Sequence, residues 1–188
     1  MNYKEIRAIY TDTTIRVYQA YNSAIAKEAV RLGTFGNEFK MTRMTWIKPS
    51  FLWMMYRCGW ATKEQQERVL AIDIKREAFD FLVQNAVVSS YHESSFSNEE
   101  EWKEAVRTSD IRIQWDPERD IYGNPLDYRS LQLGLRGEAV KRYVTEWIVG
   151  ITDITDDVVD LRERITAKED VTDLLPKEAI YPLKNNEL

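Results

Sequence analysis

The chain has 188 residues, 44% hydrophobic and 30% charged, with a formal net charge of −5, proportions that exclude wholesale disorder and fibrous repeats and suit one domain around one core. A single cysteine, Cys58, and a single histidine, His92, exclude an internal disulfide and a Cys/His zinc site, so no metal is expected. No signal-peptide pattern and no run near the roughly 18 apolar residues of a bilayer span appear, so a cytoplasmic protein with no membrane partner is the expectation.

Taken in chain order, Ile15 to Tyr21 alternates β-branched or aromatic residues with others, as a half-buried strand does. Asn22 or Ser23 can cap a following helix, Ala24 to Leu32, with Ile25, Ala29 and Leu32 on one stripe and Gly33 as its stop. Residues 34–48 read as loop or short strand. Pro49 suits a first helical position, Phe51 to Cys58 a helix and Gly59 its C-cap. Arg68 to Ile74 reads as a buried strand and Arg76 to about Asn85 as an amphipathic helix directing Phe79, Leu82 and Val83 inward. Glu99 to Val106 predicts a short helix and Ile111 to Trp115 a strand. Asp116-Pro117 and Gly123-Asn-Pro125 punctuate a long loop before a strand at Ser130 to Leu135. Gly137 to Glu146 then suits a helix, Trp147 to Ile154 a strand, and the residues from Asp156 a charged helix. The sum is an α+β fold: a single globular domain over residues 1–166, with a mixed or antiparallel β core flanked by helices. Residues 167–188 form a C-terminal arm, partly disordered.

Charge is unevenly divided. Residues 1–70 carry a net +5 and residues 71–188 a net −10. No acid stands between Glu38 and Glu64, whereas Lys40, Arg43, Lys48, Arg57 and Lys63 do. Amides at a helix start after Pro49, together with Lys48 and the Ser50 hydroxyl, can hold a phosphate or carboxylate. Trp46, Trp53 and Trp60 offer faces on which a base can stack, although their seven-residue spacing equally suits one helix face filling a core. The carboxylates of Asp116-Pro-Glu-Arg-Asp120 read either as a divalent-metal loop or as turn chemistry, and no metal is assigned to them. His92 reads as a surface loop residue and Cys58 as packing.

The phrases Val17 to Tyr21, Met44 to Arg57, Ile113 to Arg119 and Tyr128 to Gly134 resemble domain-of-unknown-function family 4291 over about residues 5–155, a family name that carries no activity. The order of strand, glycine-stopped helix, second helix and later strand also resembles the ADP-ribosyltransferase fold. Under that second resemblance, Gln19-Ala20-Tyr21 stands where a His-Gly-Thr-like triplet is usual. Ser50, Trp53 or Tyr56 fills the nicotinamide-packing position, and Gln132 replaces the usual glutamate. A glutamine cannot stabilise an oxocarbenium-like centre by charge.

Together these readings imply a domain that binds NAD or a similar nucleotide or dinucleotide. Gln19, Arg43, Lys48, Trp53, Tyr56 and Arg129 would bind the cofactor, and Tyr21, Ser50 and Gln132 would occupy catalytic positions. The implied enzyme is an ADP-ribosyltransferase-like transferase acting on nucleic acid or protein. A module that binds single-stranded nucleic acid or an RNA end without catalysis is the alternative. No oligomeric state follows from the sequence.

Overall fold

Alternation of side chains explains the first sheet, and the edges left by pairing explain the second. In the computed structural model, which describes residues 3–183, the strands in chain order are Tyr3–Lys4 (β1), Arg7–Ala8 (β2), Thr14–Tyr21 (β3), Thr45–Ile47 (β4), Arg68–Lys75 (β5), Val87–Val88 (β6), Ile111–Arg119 (β7), Pro125–Leu135 (β8), Ile148–Asp153 (β9) and Ala179–Ile180 (β10). The helices are Ser23–Leu32 (α1), Phe51–Cys58 (α2), Arg76–Gln84 (α3), Glu99–Thr108 (α4), Gly137–Arg142 (α5) and Thr155–Thr166 (α6), and a π-helical turn at Tyr143–Trp147 continues α5. The fold is α+β with mixed sheets. Among the described residues no helix is long and apolar enough to cross a membrane.

The first sheet is antiparallel, in the order β3-β5-β9. Because its middle strand is covered on both faces, β5 reads almost continuously apolar and feeds two cores. Leu70, Ile72 and Ile74 join one, and Val69 and Ala71 the other. The first core gathers Ala26 and Ala29 of α1, Phe79 and Leu82 of α3, and Ile113, Leu131 and Leu133 of the second sheet. The second gathers Met54, Met55 and Cys58 of α2 with Val158 and Leu161 of α6. On α1 the inner stripe is Ala26 and Ala29 rather than one ending at Leu32, which is 46% exposed because the helix turns it away before Gly33 stops it.

The second sheet runs β1-β8-β7-β6, with β4 on the same edge of β8 as β1. Its spine is the β7–β8 hairpin. β7 continues through Asp116-Pro117 to Arg119, where the sequence predicts a loop. Pro117 is tolerated because β6 covers the other edge only at Arg112 and Ile113, leaving Pro117 with no ladder bond to donate there, and a bulge follows it. Among the described residues the two sheets are stitched by one bridge, Tyr18 to Lys48, in which the Tyr18 amide donates to the Lys48 carbonyl at 2.7 Å.

Within the expected C-terminal arm, Lys168 to Leu183 is anchored to the body of the fold, and residues 184–188 lie outside the described residues. Val171 and Tyr181 are buried, β10 pairs antiparallel with β2, and the Tyr181 amide donates to the Ile6 carbonyl at 2.7 Å. The Tyr181 ring meets Tyr10 and Phe79 edge-on while its hydroxyl donates to buried Asp80 at 2.6 Å. This segment lacks periodicity because isolated residues rather than a face anchor it.

Candidate functional site

Beside the Tyr18–Lys48 stitch lies a cleft of about 900 Å³, within the usual range for small-ligand sites. β3 contributes Gln19 and Tyr21, β4 contributes Thr45 and Trp46, and α2 contributes Trp53 and Arg57. Gln114 and Asp116 come from β7 and Gln132 from β8, and the loop before β4 supplies Glu38, Lys40 and Arg43.

The floor is rigid because its polar groups satisfy one another. Buried Gln19 accepts from the Tyr143 hydroxyl at 2.8 Å, and its amide nitrogen lies 2.8 Å from both the Tyr21 and Thr45 hydroxyls and 3.2 Å from the Trp46 carbonyl. Burial raises the Tyr21 phenol well above its ordinary range, the Thr45 contact opposing it, so that hydroxyl stays protonated. Gln19 and Tyr21 are thus framework for the cleft, with their polar ends turned inward.

Asp116 is held between two side-chain amides. Gln114, two residues earlier on the same face of β7, donates to one oxygen at 3.0 Å, and Gln132, the cross-strand neighbour of Gln114, donates to the other at 2.8 Å. Gln132 therefore positions a carboxylate instead of standing in for one. Of the remaining acids in the Asp116-Pro-Glu-Arg-Asp120 run, Glu118 is buried away from the cleft and Asp120 closes the hairpin turn by accepting from Tyr122 and Asn124. Strand alternation separates them, and among the described residues no three His, Cys, Asp or Glu side chains gather as a metal site.

The cations divide into two kinds. Lys40, Arg43 and Arg57 are exposed at the cleft, and none lies within ion-pair distance of a carboxylate among the described residues. Lys48 is only 5% exposed; its ammonium nitrogen donates to the Trp46 carbonyl at 3.1 Å and sits 5.6 Å from the Trp53 ring centre. Desolvation, with Arg57 adding to it, lowers the Lys48 amine to about 7. The indole of Trp46 lies across its cross-strand partner Gly134, where a β-carbon would come within 2.9 Å of the ring. Trp53 is buried in the wall with its Nε1 proton unpartnered among the described residues. Trp60, past the end of α2, packs edge-on against Phe51 outside the cleft.

Three of the sequence-predicted residues fall elsewhere. Ser50 is the N-cap of α2, accepting from the Trp53 amide at 3.1 Å, so Pro49 precedes the cap and is not the first helical residue. The neighbouring Phe51 amide is taken by the Glu178 carboxylate at 2.7 Å. That helix start is thus filled from the C-terminal segment and does not offer itself to a phosphate. Tyr56 lies outside the cleft lining: it meets Trp53 edge-on at 6.4 Å and stacks under Arg119, 4.1 Å from its guanidinium. Arg129 pairs with Glu93 at 2.6 Å in a smaller adjoining hollow of about 270 Å³, which shares Gln114 and Asp116 with the cleft.

The helix cap makes a pH prediction. Desolvation, with Glu118 nearby, raises the Glu178 carboxyl from 4.5 to about 8. A carboxyl raised on folding lends stability that is complete below about 4.5 and lost as pH climbs to about 8. The melting temperature of wild type is expected to fall between pH 5 and 8, and Glu178→Gln, which stays neutral and still accepts from Phe51, to flatten that fall. Thermal melts of both proteins across this range check it; parallel curves would refute it.

The chain matches the family model described as Domain of unknown function (DUF4291) over residues 5–181, which includes the C-terminal segment up to Tyr181. It belongs to DUF4291. No curated protein matches it. The DUF4291 match brings no activity with it and lends no support to the ADP-ribosyltransferase resemblance, so the site must be read from its own chemistry. Within this DUF4291 chain the sequence reading left Asp116 out of the site, because its Asp-Pro pair read as turn chemistry, and left Arg57 out as well. The signal for Arg57 was present in the acid-free run from Lys40 to Lys63, which already singled it out.

Proposed function

We propose that the cleft binds a nucleotide or dinucleotide of the NAD type through its phosphates. The observation that carries this reading is the convergence of Lys40, Arg43 and Arg57, all without carboxylate partners among the described residues, on one cleft with the Trp46 indole. Uncompensated cations around a concave site favour an anion, guanidinium groups suit phosphate oxygens, and an indole face suits a flat base or nicotinamide ring. Glycosyl transfer is not part of the proposal, because Gln132 is neutral and is spent holding Asp116.

Isothermal titration with ATP, ADP-ribose and NAD tests it. Dissociation constants below about 100 μM for at least one of the three, with a shallow dependence on salt, are the expected result. No heat with any of them would reject the reading. A steep loss of affinity between low and moderate salt, seen only with single-stranded oligonucleotides, would replace it with strand binding.

A further inference from the structure

We infer that Lys48 is a reactive amine that forms an imine with an aldehyde or ketone carried by an anionic, phosphate-bearing ligand in the cleft. The geometry sets it apart from every other described lysine. Its side chain runs along the cleft wall, shielded from bulk water by Trp53, with one hydrogen bond to a backbone carbonyl and no carboxylate within ion-pair reach among the described residues. The charged and titratable groups facing it are Arg57 and Cys58 of α2 and Asp116 of β7; Tyr18 of β3 meets Lys48 through the backbone bridge. Arg57 repels the ammonium form, while Asp116 is fixed by its two amides and Cys58 is buried in the core. Burial is the largest influence, and the amine is lowered to about 7, so a large share of it carries a free lone pair near neutrality.

That lone pair is what imine formation needs. Nζ adds to the carbonyl carbon, the carbon–oxygen double bond is replaced by a carbon–nitrogen double bond, and the oxygen leaves as water with the two amine protons. No oxidant or reductant enters the balance. The phosphate in the ligand's description rests on the anion-binding reading above, since Lys40, Arg43 and Arg57 surround the same cleft; the reactivity of the amine does not depend on it.

The test uses pyridoxal 5′-phosphate and pyridoxal as probes on the full chain, trapping any imine with borohydride and mapping modified lysines by mass spectrometry. At pH 7 Lys48 is expected to be labelled about tenfold or more faster than the exposed Lys27 on α1, because an ordinary lysine is almost wholly protonated there. The Lys48 rate should level off above pH 8, and the phosphorylated probe should outpace pyridoxal. Labelling of Lys48 no faster than Lys27, or a Lys48 rate that climbs steadily to pH 10, overturns the inference. Nucleotide binding by calorimetry with an inert Lys48 would discard the amine and keep the anion site. Fast labelling of Lys48 by both probes equally would keep the amine and discard the phosphate.

Discussion

Replacing Arg43 and Arg57 together by alanine is expected to weaken ATP binding by roughly 10²- to 10⁴-fold while shifting the melting temperature by no more than a few degrees. Each guanidinium that bonds a phosphate oxygen contributes about 1.5–3 kcal/mol, and the two act on one ligand from different elements, the loop before β4 and the last turn of α2. Their folded-state cost is small. Both side chains are exposed, neither is ion-paired among the described residues, and surface changes of this kind stay within about 0.5 kcal/mol. Calorimetry and thermal melts on the same preparations check both halves. An unchanged dissociation constant would show that the phosphates lie elsewhere, and a large drop in melting temperature would assign the arginines to the framework.

Tyr181→Ala should cost about 3–5 kcal/mol of folding stability, as the loss of a buried aromatic does. The ring fills the space between Tyr10 and Phe79, and the Arg76 guanidinium covers it at 5.0 Å. Its hydroxyl is the donor that satisfies buried Asp80 and also accepts from Arg76 at 3.0 Å. Tyr181→Phe keeps the packing and removes only that bridge, so it should cost about 1–3 kcal/mol. Urea denaturation of the three proteins gives the ordering. If Tyr181→Ala melts like wild type, the C-terminal segment is a loose appendage and its pairing with β2 contributes nothing.

Regular elements with their own signals were legible in the sequence. β3 and β5 declare themselves by alternation and by an apolar run, and α1 and α2 by their caps and αL glycines, Gly33 and Gly59. The cleft's composition was partly legible too, since Lys40, Arg43, Lys48 and Arg57 of the acid-free run line it together with Trp46. What stayed hidden depends on contacts distant in sequence. Glu178 fills the start of α2 from 127 residues away, a partner that local reading cannot supply. Lys48 reads in the sequence as an anion-binding cation, but its burial in the wall depends on the strand bridge to Tyr18, which the sequence does not show. The helical spacing of Trp46, Trp53 and Trp60 was coincidental, because a strand, a helix and a turn hold one each.

The lone backbone bond that stitches the two sheets makes the Tyr18 amide a built-in gauge. With no second rung beside it among the described residues, breathing that parts the two sheets here releases this one proton to solvent, whereas its neighbours Val17 and Gln19 belong to the long ladder of β3 with β5. Deuterium uptake at that single amide, followed site by site with and without an occupant, would report how often the mouth gapes without any label on the protein.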